Sequence, residues 1–419
     1  MKALVKLNIS HLFWVFLGLQ VVVISIYLAH RGETIVTFDF FLQTVKYSTL
    51  ILLLLAVLLI YRQRSRIVKF EILKYLFISQ ILILYFVMLI NTDQKAINSP
   101  TILLMLFISA LAFTDLVSPR NINLIAITFA VINVLIVILQ VLGEVPVAQD
   151  NVRDGIGFVA DRPTGLLFNA FAMSYAAVIT FLISLYFLKN KKLKVLNTFA
   201  ILVSVFSIIL SGTRTPLILL VIFGLVIFLQ DKKFVMRNWK FVTIATSGIV
   251  ITFPIITILV GNFTNNVGMS TLNGRTFLWS CVTSKWQEFI PFGVGVQAAF
   301  PNGFCSDDEW FSKLRHPENM FLLNFVESGV LGVTGLGALF AVALWVSALA
   351  LKRGSALSLA LTGTFLMSSI FYVPLFHYLP FLEGRTANRG VFNFFLITLL
   401  WISVLAISRQ ETNKQLTRK

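Results

Sequence analysis

Charge is scarce in this sequence. Only 12% of its 419 residues are Asp, Glu, Lys or Arg, where a soluble domain carries about 25%. So thin a polar coat cannot clothe a water-soluble globule of this length, and 58% of the residues are hydrophobic, with a mean hydropathy of +0.88. Lipid must be the solvent for much of the surface, and nothing reads as a soluble domain. Acidic residues are scarcer still: 18 Asp and Glu against 34 Lys and Arg leave a formal charge of +16. A nucleic-acid binder would gather that excess on one contiguous face. Here it is split into short clusters between apolar runs, at 62–69, 189–194, 232–240, 352–353 and 409–419, which read as cytoplasmic anchors and argue against nucleic acid as a partner. With two cysteines and four histidines, there is no His/Cys/Asp cluster at metal-ligand spacing, so no metal site is expected.

What the chain has instead is apolar length. Continuous apolar runs lie near 12–29, 43–61, 72–90, 101–117, 122–142, 168–188, 195–210, 216–230, 241–260, 329–350, 356–375 and 390–407. Several approach the roughly 20 residues that a membrane-spanning helix needs. The first follows Lys2 and Lys6 and lacks a small-residue cleavage site, so it reads as a retained span. Irregular backbone cannot face lipid. The expected fold is therefore all-α, a polytopic transmembrane helical bundle of about 12 spans forming one integral membrane domain over residues 1–419. With the N-terminus inside, every basic cluster above falls on the cytoplasmic side, whereas Glu33, Asp93, Glu144, Asp150, Asp154, Asp161, Asp307, Asp308 and Glu309 fall outside.

That threading leaves two long outer segments, 143–167 and 261–321. Loops beyond about 12–15 residues are commonly functional or disordered. In the larger one, Arg275 to Phe289 reads as helical, with Phe277, Leu278, Val282, Trp286 and Phe289 broadly on one face. Such a helix either lies on the outer leaflet or is a packed connector. Gly329, Gly332, Gly335 and Gly337 are expected to permit close helix packing.

Arginine is unexpectedly frequent on the outer side, where positive-inside bias should exclude it. Arg153, Arg162, Arg214, Arg275, Arg315, Arg385 and Arg389 gather there with His316, Glu318, Glu327 and Glu383. Arginine stays charged at any relevant pH and grips phosphate with two parallel hydrogen bonds. An arginine-rich outer pocket beside apolar helices suits an amphiphile with an anionic head and a lipid tail. Pairing with nearby acids or lipid headgroups is the plainer account of any single one.

Four segments sharpen this reading. They are Asp161-Arg-Pro-Thr-Gly-Leu-Leu-Phe-Asn169; Ser211-Gly-Thr-Arg-Thr215; Asn273-Gly-Arg-Thr-Phe-Leu-Trp279 with Pro291-Phe-Gly-Val-Gly295; and His316-Pro-Glu-Asn-Met-Phe-Leu322 leading into Glu327-Ser-Gly-Val-Leu-Gly332. In this order, over about residues 120–400, the chain resembles the superfamily of O-antigen ligases and Wzy-type O-antigen and exopolysaccharide polymerases. The resemblance implies a GT-C-like fold in the bacterial inner (cytoplasmic) membrane. It also implies an inverting, cofactor-free glycosyltransferase that moves a glycan from undecaprenyl diphosphate to an acceptor hydroxyl on the outer face. The acceptor would be another lipid-linked glycan or a lipid A–core, with membrane lipids and a chain-length regulator as further partners.

Arg214 and Arg275 match the family's outer arginines, and His316 matches the histidine that begins its last outer helix. The resemblance implies that the arginines stabilise charge on the departing diphosphate, and that His316 takes the acceptor's proton. Many relatives carry a second histidine where Glu318 stands here, so His316 and Glu318 both remain candidates for the base. Arg162, Arg315, Asn319, Arg385 and Arg389 are expected to bind substrate; Asn319 and Asn324 either contact sugar hydroxyls or cap a helix. Cys281 and Cys305 both lie in the larger outer segment and are expected to bridge, the alternative being two free thiols. A lipid-linked oligosaccharide flippase or other transporter is the rival reading. It is weakened by the scarcity of mid-span charge and the lack of an internal repeat.

Overall fold

The computed structural model describes residues 79, 119–144, 163–165, 170–190, 193–228, 279, 281–293, 319–352 and 355–371. Every regular element among them is helical. The helices are α1 (Pro119–Val141), α2 (Ala170–Lys189), α3 (Lys194–Ser211), α4 (Arg214–Phe228), a short 3-10 helix (Trp286–Phe289), α5 (Met320–Lys352) and α6 (Leu357–Phe371). Segments of α1 (Ile122–Val141), α3 and α5 are long and apolar enough to cross a membrane, and Met173–Lys189, Thr215–Ile227 and Leu357–Ser369 form shorter apolar helices. The expected spans near 12–29, 43–61, 72–90, 101–117, 241–260 and 390–407 lie outside the described residues, apart from Ser79, which is helical. The elements fall in two compact units, α1–α4 within Thr101–Phe228 and the rest within Leu229–Gly390.

The limits of the first four helices follow from local chemistry. Pro119 opens α1, where its missing N–H loses no helical hydrogen bond. Gly212 ends α3 in the left-handed conformation (φ 64°), its N–H donating to the Ile209 carbonyl at 3.1 Å. Pro216 lies in the first turn of α4, where a proline is tolerated. The sequence expected spans at 122–142, 168–188, 195–210 and 216–230, and all four are helices within a few residues of those bounds.

In this unit α2 packs on α1, α3 and α4. Its contacts on three sides explain why Met173–Thr180 is buried without interruption. Small residues let the helices approach: Ala200 meets Ile127 and Ala130 of α1, and Gly224 of α4 accommodates Phe181, whose Cε1 would lie 3.1 Å from an added Cβ. At one end, Lys189 donates to the Ile227 carbonyl at 3.1 Å, placing a positive charge on the terminal carbonyls of α4. The opposite end gathers the C-termini of α1 and α3 with the N-termini of α2 and α4, packed over Val137, Met173 and Leu210.

The second unit departs from a simple span. The sequence placed one helix at 329–350, but α5 runs from Met320 to Lys352 with non-helical backbone at Gly329 (φ 61°, ψ −152°). A straight helix would hold Phe321 and Phe340 about 28 Å apart at 1.5 Å per residue. Their ring centroids are 5.8 Å apart. A Cβ added at Gly332 would meet the Asn324 carbonyl oxygen at 2.8 Å, a pair that a straight helix would separate by about 12 Å. The chain therefore doubles back at Gly329, and arm 320–328 lies along arm 330–352 as a helical hairpin. α6 packs against α5, with Ser347 Oγ and Thr362 Oγ1 2.9 Å apart.

Candidate functional site

The described part of the site begins at the α1/α3 end of the first unit. Gln140, in the last turn of α1, is buried, and its Oε1 accepts hydrogen bonds from the N–H groups of Thr164 (2.9 Å) and Gly165 (2.8 Å). Its Nε2 donates to Thr164 Oγ1 at 3.0 Å. One primary amide thus holds the turn Pro163-Thr-Gly165, the centre of the motif that begins at Asp161. Gly165 has φ +56° and sits where a Cβ would collide with Asn133 Oδ1 and lie 2.6 Å from Met173 Sδ. Only glycine meets both demands. Asn133 in turn donates to Ser207 Oγ of α3 at 3.2 Å.

The second motif closes the same end. Ser211 Oγ lies 2.7 Å from the Ile208 carbonyl it donates to, 2.6 Å from Thr213 Oγ1 and 3.3 Å from the Thr213 N–H that it accepts. Ser211 and Thr213 are both buried. This short turn delivers Arg214 as the first residue of α4. The open backbone N–H groups at the start of α4 favour an anion there.

In the second unit, the motif pairs Pro291-Phe-Gly and Glu327-Ser-Gly interlock backbone to backbone. The Val330 N–H, released by the break at Gly329, donates to the Pro291 carbonyl at 3.1 Å. A Cβ at Gly293 (φ +74°) would lie 2.5 Å from the Glu327 oxygen and 2.6 Å from the Ser328 nitrogen; one at Gly329 would strike the Pro291 carbonyl. The Ile290–Pro291 peptide is cis. Phe289 stacks edge-on against Phe325 with centroids 5.7 Å apart.

Residues 279 and 281–284 are helical, as expected of this stretch, and end in the 3-10 helix. Trp279, Val282 and Phe289 are buried, which makes the packed connector the right description of that face. Trp286, expected with them, points outward instead, because the tighter 3-10 turn changes the register. Cys281 is disulfide-bonded, the state expected for the chain's two cysteines.

Of the expected site residues, Asn319 and the backbone of Arg214 are described, in different units. Asn319 caps the α5 hairpin: its Oδ1 accepts the N–H groups of Phe321 (2.9 Å) and Leu322 (3.1 Å). Asn324 donates to the Met320 carbonyl at 2.9 Å. Arg162, Arg275, Arg315, His316, Glu318, Arg385 and Arg389 lie outside the described residues. Among the described residues no group of three or more His, Cys, Asp or Glu could hold a metal ion. Gly332 touches Ser328 and Asn324, whereas Gly337, also expected at a close contact, has nothing within 4 Å of where its Cβ would stand. Sequence reasoning missed Asn133 and Gln140. Their signal was an amide inside an otherwise apolar span, which must find a partner or be expelled.

The architecture is that of a helical membrane protein, with two family-type motifs brought to one end of a four-helix unit. Residues 199–337 match the family model described as O-antigen ligase (Wzy_C). Over that segment the chain is similar to a membrane O-antigen ligase-type protein, a glycosyl-transferring enzyme that works on a lipid-linked glycan donor and an acceptor. No curated protein matches the chain.

Proposed function

We propose that this protein transfers a glycan from undecaprenyl diphosphate to an acceptor hydroxyl at the outer face of the membrane, with inversion and without a metal. The observation that carries the reading is the match across 199–337, which takes in Arg214, Arg275 and His316 in the order the motifs require. In this reaction the acceptor oxygen attacks the anomeric carbon as its bond to the diphosphate oxygen breaks. The diphosphate leaves with the bonding pair, and the acceptor's proton passes to His316 or Glu318.

Arg214 and Arg275 oppose the charge that grows on the leaving oxygen. At Arg214, the start of α4 adds its own partial positive charge, and the Ser211–Thr213 turn holds that start in place. Arg162, Arg315, Arg385 and Arg389 complete the polar lining. Asn319 gives its oxygen to the helix cap, so any contact it makes with sugar runs through Nδ2.

The test is reconstitution with an undecaprenyl-diphosphate glycan and either a second lipid-linked glycan or a lipid A–core. Arg214→Ala and Arg275→Ala should abolish product while the protein remains inserted and abundant. Near-normal transfer by both variants would show that the diphosphate is held elsewhere. The acceptor that is consumed separates polymerase from ligase.

A further inference from the structure

The connector carries three large apolar side chains that its own unit does not cover. Trp286, Ile290 and Phe292 are 48%, 44% and 43% exposed, while Phe289 between them is buried. Soluble surfaces seldom leave such side chains clustered without a partner. Their height relative to the bilayer follows from the hairpin. Arm 330–352 is about 33 Å long at 1.5 Å per residue, close to the roughly 30 Å of a hydrocarbon core. Lys352 marks its cytoplasmic end by charge, so Val330 stands at the outer boundary of the hydrocarbon. The Val330 N–H is bonded to the Pro291 carbonyl, which fixes the connector at that boundary and not above it.

The exposed face is also continuous with one that must meet lipid. Val330, Leu331, Thr334, Ala338, Ala341 and Trp345 form an exposed stripe down the arm. Thr334, the polar member, hides its hydroxyl against the Val330 (2.7 Å) and Leu331 (3.2 Å) carbonyls of its own helix, as a lipid-facing threonine must. The top of that stripe adjoins the turn that bears Phe292.

We infer that segment 285–293 is an outer-leaflet anchor, with Trp286, Ile290 and Phe292 seated among lipid glycerol and upper acyl groups beside the Gly329 break. Tryptophan favours this interfacial zone because its ring is apolar and its N–H needs a polar partner. The anchor ties the depth of the large outer segment to the membrane surface itself. The inference stands apart from the proposed reaction, since its test needs no substrate.

The full chain is reconstituted in vesicles whose lipids carry bromine near either the headgroup end or the methyl end of the acyl chains. Trp286 is one of seven tryptophans, so its emission is taken as the difference between wild type and Trp286→Phe. That difference should be quenched strongly by shallow bromine, less by deep bromine and little by aqueous iodide. Adding Phe292→Trp to the Trp286→Phe chain should restore a shallow-quenched signal. Quenching by iodide alone would place the segment in water. Insensitivity to every quencher would mean that protein covers it, and stronger quenching by deep bromine would mean that it does not rest at the interface. Each of these three results overturns the anchor.

Discussion

Replacing Gly329 with alanine should destabilise the second unit by about 2–4 kcal/mol. The backbone there (φ 61°, ψ −152°) lies in a region open essentially to glycine, and a residue with a Cβ pays about 1–3 kcal/mol to occupy it. The new methyl would also overlap the Pro291 carbonyl and lie 2.7 Å from the Gly293 nitrogen. To relieve this the connector must withdraw and give up the bond from Val330, a further loss of about 1 kcal/mol. Gly337→Ala is the control: nothing lies within 4 Å of its Cβ, and alanine in a helix interior is favoured over glycine by about 1 kcal/mol. The assay is denaturation in mixed detergent micelles, followed by tryptophan emission and by protease sensitivity. Gly329→Ala should unfold at lower denaturant and expose the connector to cleavage, whereas Gly337→Ala should match or exceed wild type. Equal stability of the two variants would refute the hairpin and its interlock with Pro291–Gly293.

Spin labels at positions 321 and 340 should report a separation well below the roughly 28 Å of a straight helix, and a distance near that value would disprove the reversal. Gln140→Ala, which orphans the N–H groups of Thr164 and Gly165, should cost about 2–3 kcal/mol in the same denaturation assay. Gln140→Glu should recover part of this, because it keeps the acceptor and loses only the donor to Thr164. Arg214→Lys should restore little transfer, since a point charge cannot reproduce a two-pronged diphosphate contact. His316→Ala should lower transfer about 100-fold if it is the base, and Glu318→Gln should do so if the carboxylate holds that role.

Much of the architecture was legible in the residues alone, for a reason specific to lipid. A bilayer demands an unbroken apolar run of fixed length. The runs near 122–142, 168–188 and 195–210 accordingly appear as helices with nearly those limits. The Ser211–Thr215 motif was also correctly placed between two helices, because glycine and a buried hydroxyl pair end one helix just before Pro216 permits the next. The family resemblance was legible in the motifs and their order, since their spacing survives in the linear chain.

What the linear chain did not carry was which distant backbone each motif meets. The residues placed a span at 329–350 and grouped Gly329 with Gly332, Gly335 and Gly337 as packing glycines, and nothing local marks Gly329 as a point of reversal. The reversal is marked by the Pro291 carbonyl, nearly forty residues earlier in the chain, which accepts the N–H that the break exposes. Gln140 likewise lies inside the run 122–142, and nothing local shows that folding brings Pro163-Thr-Gly165 against it. Helix existence is a property of each segment and its solvent, so sequence alone determined it. Closure of hydrogen bonds between segments depends on their positions in space, so only the tertiary structure decided the hairpin and the clamped turn.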